Sequence, residues 1–298
     1  MLRKRRLLAK APASLLCHMT TEIKLGLIGK GISNSRMPRL QQHLANLTGI
    51  ELSYTLIDSA SIPSFDLGEQ VITAKTLGFT SVNVTHPFKQ NICDWVDRPT
   101  VPGHARIGAY NTLLFSDDEI LGANTDYSGF ISGYRFRRGH QNPGRVFLCG
   151  AGGAGHAIAW ALTELGCEHL HVYDVLPRQA DSLADELSQV MSVSVVSEDE
   201  LEETIRQCDG VINATSLGMH GHPGSAIALS LISAQSWAFD AVYTPLKTEF
   251  LLACEHAGID CLSGFNLWLF QGLDAFQLFT GHEVKADPIL IQTALSWL

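Results

Sequence analysis

An α/β fold in two domains is what this sequence predicts, and three observations predict it. Strand-like and helix-like patterns alternate from Glu22 onward. A glycine turn, Gly150 to Gly155, sits between a short buried apolar run and a helical one. The chain has 298 residues, 46% of them apolar, which is enough for a substantial core and favours two domains over one.

In the first half, Lys24 to Ile28 reads as a strand, followed by a glycine turn and a helix with Met37, Leu40, Leu44 and Leu47 at helical spacing. Ser35 is its candidate N-cap. A strand over Glu51 to Ile57 and a helix over Leu67 to Leu77 come next. Thr80 to Thr85 reads as a third strand around the alternating run Ser81 to Val84. Pro87 fits the first turn of a helix reaching about Val96. Lys89 then stands in a first helical turn where a strand has just ended, and ligands gather at the carboxyl ends of strands in open α/β sheets. Three alternations predict a parallel, helix-covered sheet. Asn111 to Phe115 and Ile120 to Asn124 flank Ser116-Asp117-Asp118-Glu119 as a hairpin, Asp126 opens a helix, and Arg135 to Gly144 reads as a charged linker.

The second half starts at Arg145. Val146 to Cys149 is a strand, Ala157 to Leu165 is helical, and His169 to Asp174 is the next strand. Strand, G-x-G-x-x-G, helix, strand and acid in that order form a Rossmann-type dinucleotide fingerprint. Gly150, Gly152, Gly153 and Gly155 let backbone amides and a helix N-terminus hold a pyrophosphate. Asp174 can accept hydrogen bonds from a ribose 2′-hydroxyl and would repel a 2′-phosphate, so NAD is favoured. Arg178 is placed to pair with such a phosphate if Asp174 turns away, which keeps NADP possible. Ser192 to Val196, Gly210 to Ala214 and Trp237 to Val242 are further strands, and the loop from Thr215 to Gly224 lies toward the nicotinamide end. Two apolar-striped helices, about Phe265 to Thr280 and Asp287 to Leu298, end the chain.

A net charge of -9 and the lack of a basic aromatic stripe argue against nucleic acid and acidic membrane surfaces. No run of about 18 apolar residues is present, so no membrane span is expected. Seven scattered cysteines without a C-x-x-C pair read as thiols of a reducing cytoplasm. His169 with His171, and His220 with His222, lack the further ligands a zinc site needs, so no metal is expected. The tail holds a basic cluster at Lys4, Arg5 and Arg6. Lys10 and Pro12 interrupt any apolar export signal, and residues 1 to 20 read as a disordered or misassigned extension.

Several stretches carry a resemblance. Asn83-Val84-Thr85-His86-Pro87-Phe88-Lys89, Ile107-Gly108-Ala109-Tyr110-Asn111-Thr112 and Gly122-Ala123-Asn124-Thr125-Asp126 come first. The Gly150 to Gly155 turn, Asn213-Ala214-Thr215-Ser216-Leu217-Gly218-Met219, Tyr243-Thr244-Pro245 with Thr248, and Gln271-Gly272 follow. In this order they resemble the shikimate and quinate dehydrogenase family.

The resemblance implies an N-terminal substrate-binding domain over residues 21 to 125, completed by 263 to 298, and an NAD(P)-binding domain over 126 to 262. It implies hydride transfer between a nicotinamide cofactor and the C3 hydroxyl of a polyhydroxylated ring carboxylate. Lys89 and Asp126 would be the catalytic pair. Lys89 would relay the proton that leaves the alcohol, and Asp126 would orient it. Asn111 would hold ring hydroxyls, with Thr85, Tyr243 and Gln271 as further substrate contacts, and Thr215 and Gly264 would lie by the cofactor. Two positions depart from the family: Leu267 replaces a methionine expected near the nicotinamide, keeping bulk and apolarity, and the other lies in the carboxylate loop. There the family's S-x-S-P or S-x-T-P puts two hydroxyls on the substrate carboxylate, and Ser35-Arg36-Met37-Pro38 has a methionine at the second. Losing such a bond costs about 1.5 to 3 kcal/mol. A related hydroxylated or amino ring acid as substrate, and a non-catalytic nucleotide or ring-acid sensor, therefore stay open. So do a monomer and a homodimer.

Overall fold

The computed structural model describes residues 22–297. The expectation for the tail lies outside them. The chain forms two six-stranded sheets joined by helices.

The first sheet takes β1 (Ile23–Gly29), β2 (Leu52–Asp58), β3 (Ser81–Val84), β4 (Arg98–Pro99), β5 (Thr112–Phe115) and β6 (Ile120–Ala123) in the order β2-β1-β3-β5-β6-β4. α1 (Met37–Thr48) joins β1 to β2, and α2 (Leu67–Thr76) joins β2 to β3. α3 (Thr125–Arg138) leads to the second sheet of β7 (Arg145–Cys149), β8 (His169–Tyr173), β9 (Val193–Val195), β10 (Gly210–Asn213), β11 (Trp237–Asp240) and β12 (Asp260–Ser263). Every neighbour pair in that sheet is parallel, in the order β12-β11-β10-β7-β8-β9. α4 (Gly153–Glu164), α5 (Pro177–Leu187), α6 (Leu201–Arg206) and α7 (Glu249–His256) connect its strands, and α8 (Gly264–Thr280) and α9 (Pro288–Leu295) return to the first sheet.

Both sheets are covered on both faces. Leu25 packs with Leu40, Leu44, Leu269, Phe276 and Leu290 from α1, α8 and α9, while Ile28, Val82 and Val84 face Val71, Ile92 and Tyr110. Across the second sheet, Val146 and Leu148 meet α3 and α4, and Phe147 points the other way with Val211 toward Ile205, Phe250 and Cys254. Alternating burial of this kind is what two-sided cover requires of strands.

Several expectations need correction. The first sheet is mixed, because the hairpin runs β5 antiparallel to both β3 and β6. Lys89 is not in a helix. Phe88 N–H closes a tight turn on the Thr85 carbonyl at 2.9 Å, and the Lys89 carbonyl accepts from Tyr110 N–H at 2.8 Å instead of continuing a helical ladder. Only a short 3₁₀ segment, Asn91–Trp95, follows. Arg36 caps α1, its carbonyl taking the bond from Leu40 N–H at 3.1 Å, and Ser35 sits one residue outside. Leu47 is 59% exposed, so the buried stripe of α1 ends at Leu44 and Ala45. The expected linker is helical as far as Arg138, because that arginine is buried and bonds Asp260 at 3.1 Å. Among the described residues no helix is long and apolar enough to cross a membrane, and no cluster of His, Cys, Asp and Glu could hold a metal ion.

Candidate active site

Strands β1 and β3 are parallel neighbours, with Ile28 opposite Val84, so the loops leaving their carboxyl ends emerge side by side. Asp58, ending β2, holds the first loop by accepting from Gly31 N–H at 2.8 Å, Ile32 N–H at 2.9 Å and Ala60 N–H at 3.0 Å. These amides, that of Ala60 foremost, hold its carboxyl below the usual range. The second loop presents Lys89.

Lys89 Nζ lies 2.7 Å from Asp126 Oδ2, and the side chains are only 18% and 9% exposed. Asp126 stands in the first turn of α3, which Asn124 caps by accepting from Tyr127 N–H at 3.0 Å. A carboxylate in that turn is favoured by the helix dipole. Beside the pair is a buried amide network. Asn111 Oδ1 accepts from Thr125 N–H at 2.7 Å and Asn111 Nδ2 donates to Thr125 Oγ1 at 2.9 Å. Thr125 Oγ1 donates to Gln271 Oε1 at 3.3 Å, and Gln271 Nε2 donates to the Trp268 carbonyl at 3.0 Å. Each amide nitrogen has one N–H left over for a ligand. Gln271 reaches this place because α8 presses on α3. A Cβ on Gly129 would fall 2.5 Å from the Gln271 backbone nitrogen, so only glycine permits the approach.

A cavity of about 770 Å³ collects these groups. Lys89, Asp126, Ser35, Met37, Thr85, Asn111, Tyr243, Gln271 and Gly264 all line it. Met37 is mostly turned away, 5% exposed, with Sδ 3.5 Å from Gln41 Nε2. Tyr243 stacks on Trp268 with ring centroids 6.2 Å apart. Burial raises its phenol pKa, and the charge of Arg36 draws it partly back. Arg36, Asn83 and Trp268 also line the cavity. Arg36 is the spacer of Ser35-Arg36-Met37-Pro38 and Asn83 opens the Asn83 to Lys89 stretch, and neither has a site role assigned from sequence. Nothing in sequence spacing points Trp268 inward.

The remaining residues named from sequence lie outside this lining, around the glycine turn, of which Ala154 alone reaches the cavity. Gly150 has φ of 103°, and a Cβ on Gly155 would stand 2.0 Å from the Gly150 carbonyl oxygen. Gly152 is the N-cap of α4, with no side chain on the first-turn amides and nothing within 4 Å of where its Cβ would be. A Cβ on Gly153 would lie 3.4 Å from that of Lys89, so the turn adjoins the loop that bears Lys89. Thr215 donates to Asn213 Oδ1 at 2.7 Å, next to Gly150. Asp174 accepts from Ala151 N–H at 2.7 Å and Leu176 N–H at 2.9 Å, one bond to each oxygen, which leaves lone pairs for a ribose. Arg178 is exposed in the first turn of α5 and has no ion-pair partner among the described residues. Uncapped amides, an open glycine and a ribose acceptor fit a nicotinamide dinucleotide.

Parallel nucleotide fold, glycine turn and a buried amine–carboxylate pair at the junction define a two-domain NAD(P)-dependent oxidoreductase. Residues 27–113 match the family model described as shikimate dehydrogenase substrate binding domain, and residues 136–220 the one described as shikimate / quinate 5-dehydrogenase. The chain belongs to the shikimate/quinate dehydrogenase family. It is 37% identical over 275 residues to a shikimate dehydrogenase (NADP(+)) of Streptomyces avermitilis, covering 91% of this chain and 94% of the relative. A quinate/shikimate dehydrogenase (NAD(+)) of Corynebacterium glutamicum is 36% identical over 271 residues, 89% and 95% of the two chains. Among solved structures, quinate dehydrogenase from Corynebacterium glutamicum in complex with NAD superposes with a TM-score of 0.85 at 35% identity, covering 93% of this chain and all, 100%, of that one. Shikimate 5-dehydrogenase from Thermus thermophilus with NADP(H) and shikimate gives 0.80 at 30% identity, with 93% and 100% coverage.

Proposed function

We propose that this protein interconverts shikimate or quinate with the 3-dehydro acid, using NAD(P) and preferring NAD. The observation that carries the reading is the Lys89–Asp126 pair, 2.7 Å apart and largely buried in a cavity that both halves of the chain line. A nicotinamide dinucleotide bound on the glycine turn supplies the hydride acceptor or donor. In the oxidising direction Lys89, as the neutral amine, accepts the hydroxyl proton at Nζ. In the reducing direction its ammonium donates a proton to the carbonyl oxygen. Asp126 holds Nζ in place, and the spare N–H groups of Asn111 and Gln271 bind neighbouring ring hydroxyls. Thr85 and Tyr243 complete the wall around the ring. The low exposure of the pair strengthens these polar contacts by keeping water out.

The carboxylate of Asp174 supports NAD by accepting from a ribose 2′-hydroxyl, while Arg178 is placed so that NADP is still accepted. The six described cysteines are free, in keeping with a reducing cytoplasm.

The test is an assay of purified protein with NAD or NADP against shikimate, quinate and amino analogues, followed by nicotinamide absorbance. Turnover of shikimate or quinate with higher kcat/KM for NAD is expected. Flat traces across the panel leave only a sensor, and a clear NADP preference removes the assigned role of Asp174.

A further inference from the structure

Lys89 and Arg36 both line the cavity, and their surroundings differ. Lys89 is engaged by Asp126, the one carboxylate in the lining. Arg36 lines the same cavity with an exposed side chain and has no ion-pair partner among the described residues. An uncompensated guanidinium inside a cavity, in a protein of net charge -9, is a place for an anion.

Its neighbours narrow the anion down. Ser35 Oγ accepts from Met37 N–H at 3.3 Å, so its own O–H remains free to donate. Met37 lies between α1 and α8, its sulfur next to the Gln41 amide and within 3.4 Å of where a Cβ on Gly272 would be, and it contributes no hydrogen bond to the cavity. Tyr243, whose phenol feels the charge of Arg36, forms the adjacent wall with Trp268. A planar fork of donors beside one free hydroxyl, against an apolar wall, suits a carboxylate carried on a ring.

We propose that Arg36 is the specificity-determining residue for the acid group of the substrate, pairing with the ring carboxylate together with the Ser35 hydroxyl. The inference rests on the ring-acid reading above. Arg36 thereby takes the part of the second hydroxyl that Met37 lacks. Because the guanidinium is exposed, salt screens the pairing.

Shikimate and quinate, each compared with its methyl ester, test this in the wild type, Arg36→Ala and Arg36→Lys. KM with saturating NAD is read alongside calorimetric Kd in its presence. Arg36→Ala is expected to raise KM and Kd for the acids about 10- to 100-fold with little change in kcat, and to change the ester values far less. Arg36→Lys restores part of the loss, since a point charge replaces a fork. Added salt weakens acid binding by the wild type and leaves the esters alone. Equal losses for acid and ester, or none for the acid, overturn the assignment of Arg36 while leaving the dehydrogenase reading intact. Arg36-dependent acid binding without turnover on either nucleotide overturns the dehydrogenase reading and keeps the carboxylate site. Acids that do not bind the wild type at all overturn both.

Discussion

The two sheets approach one cavity with different chemistry. From the first sheet and α8 come side chains: Lys89, Asn111, Ser35, Arg36 and Gln271, with Asp126 at the start of α3. The second sheet adds Tyr243 to that cavity and, beside it, a nucleotide cradle made mostly of main chain, the uncapped amides of α4 and the turn from Gly150 to Gly155. The first sheet is correspondingly irregular where it matters, with tight turns after β3 and an antiparallel hairpin, whereas the second is wholly parallel. A site made of side chains can be retuned by changing one of them. A site made of backbone tolerates many neighbours but no Cβ at its tightest points.

Three experiments probe that contrast. Lys89→Ala should have the largest effect, lowering kcat by ~10² or more while nucleotide Kd stays unchanged, because the proposed proton relay rests on one side chain. A near-normal kcat would falsify the assigned role, and an effect confined to thermal stability would reduce the pair to a structural ion pair. Gly155→Ala should do the reverse. Its methyl group would meet the Gly150 carbonyl, a backbone atom, at 2.0 Å. Displacing the turn costs about 1 to 3 kcal/mol, which should appear in fluorescence titrations as weakened NAD binding with shikimate binding retained. Unchanged NAD affinity would show that the turn yields freely.

The smallest effect concerns Asp240, which is fully buried and accepts bonds from Thr248, Val242 and Asn213. Burial raises its carboxyl to about 6 against the pull of those donors. The folded state therefore holds this proton more tightly than the unfolded chain, where the value is near 3.9. Stability from this group rises as pH falls from 6 to 4, by at most ~1.4 kcal/mol per pH unit, and is lost again as pH climbs back through 6. Urea unfolding of the wild type and Asp240→Asn across that window should show the difference between them changing in this sense. A constant difference would mean the carboxyl titrates normally. Asn213, which Asp240 holds, also donates to the Leu217 carbonyl at 3.0 Å, so the backbone site on the second sheet leans on one buried acid.

Legibility in the sequence followed the same division. The run from Arg145 to Asp174 reads as strand, glycine turn, helix and strand because each piece is local and periodic, and the structure has β7, α4 and β8 there. The turn bearing Lys89 reads as a helix because Pro87 suits a first helical turn, and nothing local reveals that Tyr110 takes the Lys89 carbonyl. Arg138 reads as linker because its burial against Asp260 involves a strand over a hundred positions away.

The sequence by itself determined the alternation of elements, the dinucleotide turn, and, through resemblance, which residues to watch. Hydrophobic period and glycine placement are properties of a few adjacent residues and need no partner. Only the tertiary structure decided that the amine of Lys89 meets the carboxylate of Asp126, that Gln271 reaches the cavity through the gap left at Gly129, and that Met37 turns into the core while Arg36 lines the cavity with no ion-pair partner among the described residues. Each of these depends on which distant surfaces pack together, and packing is settled by the whole set of contacts at once.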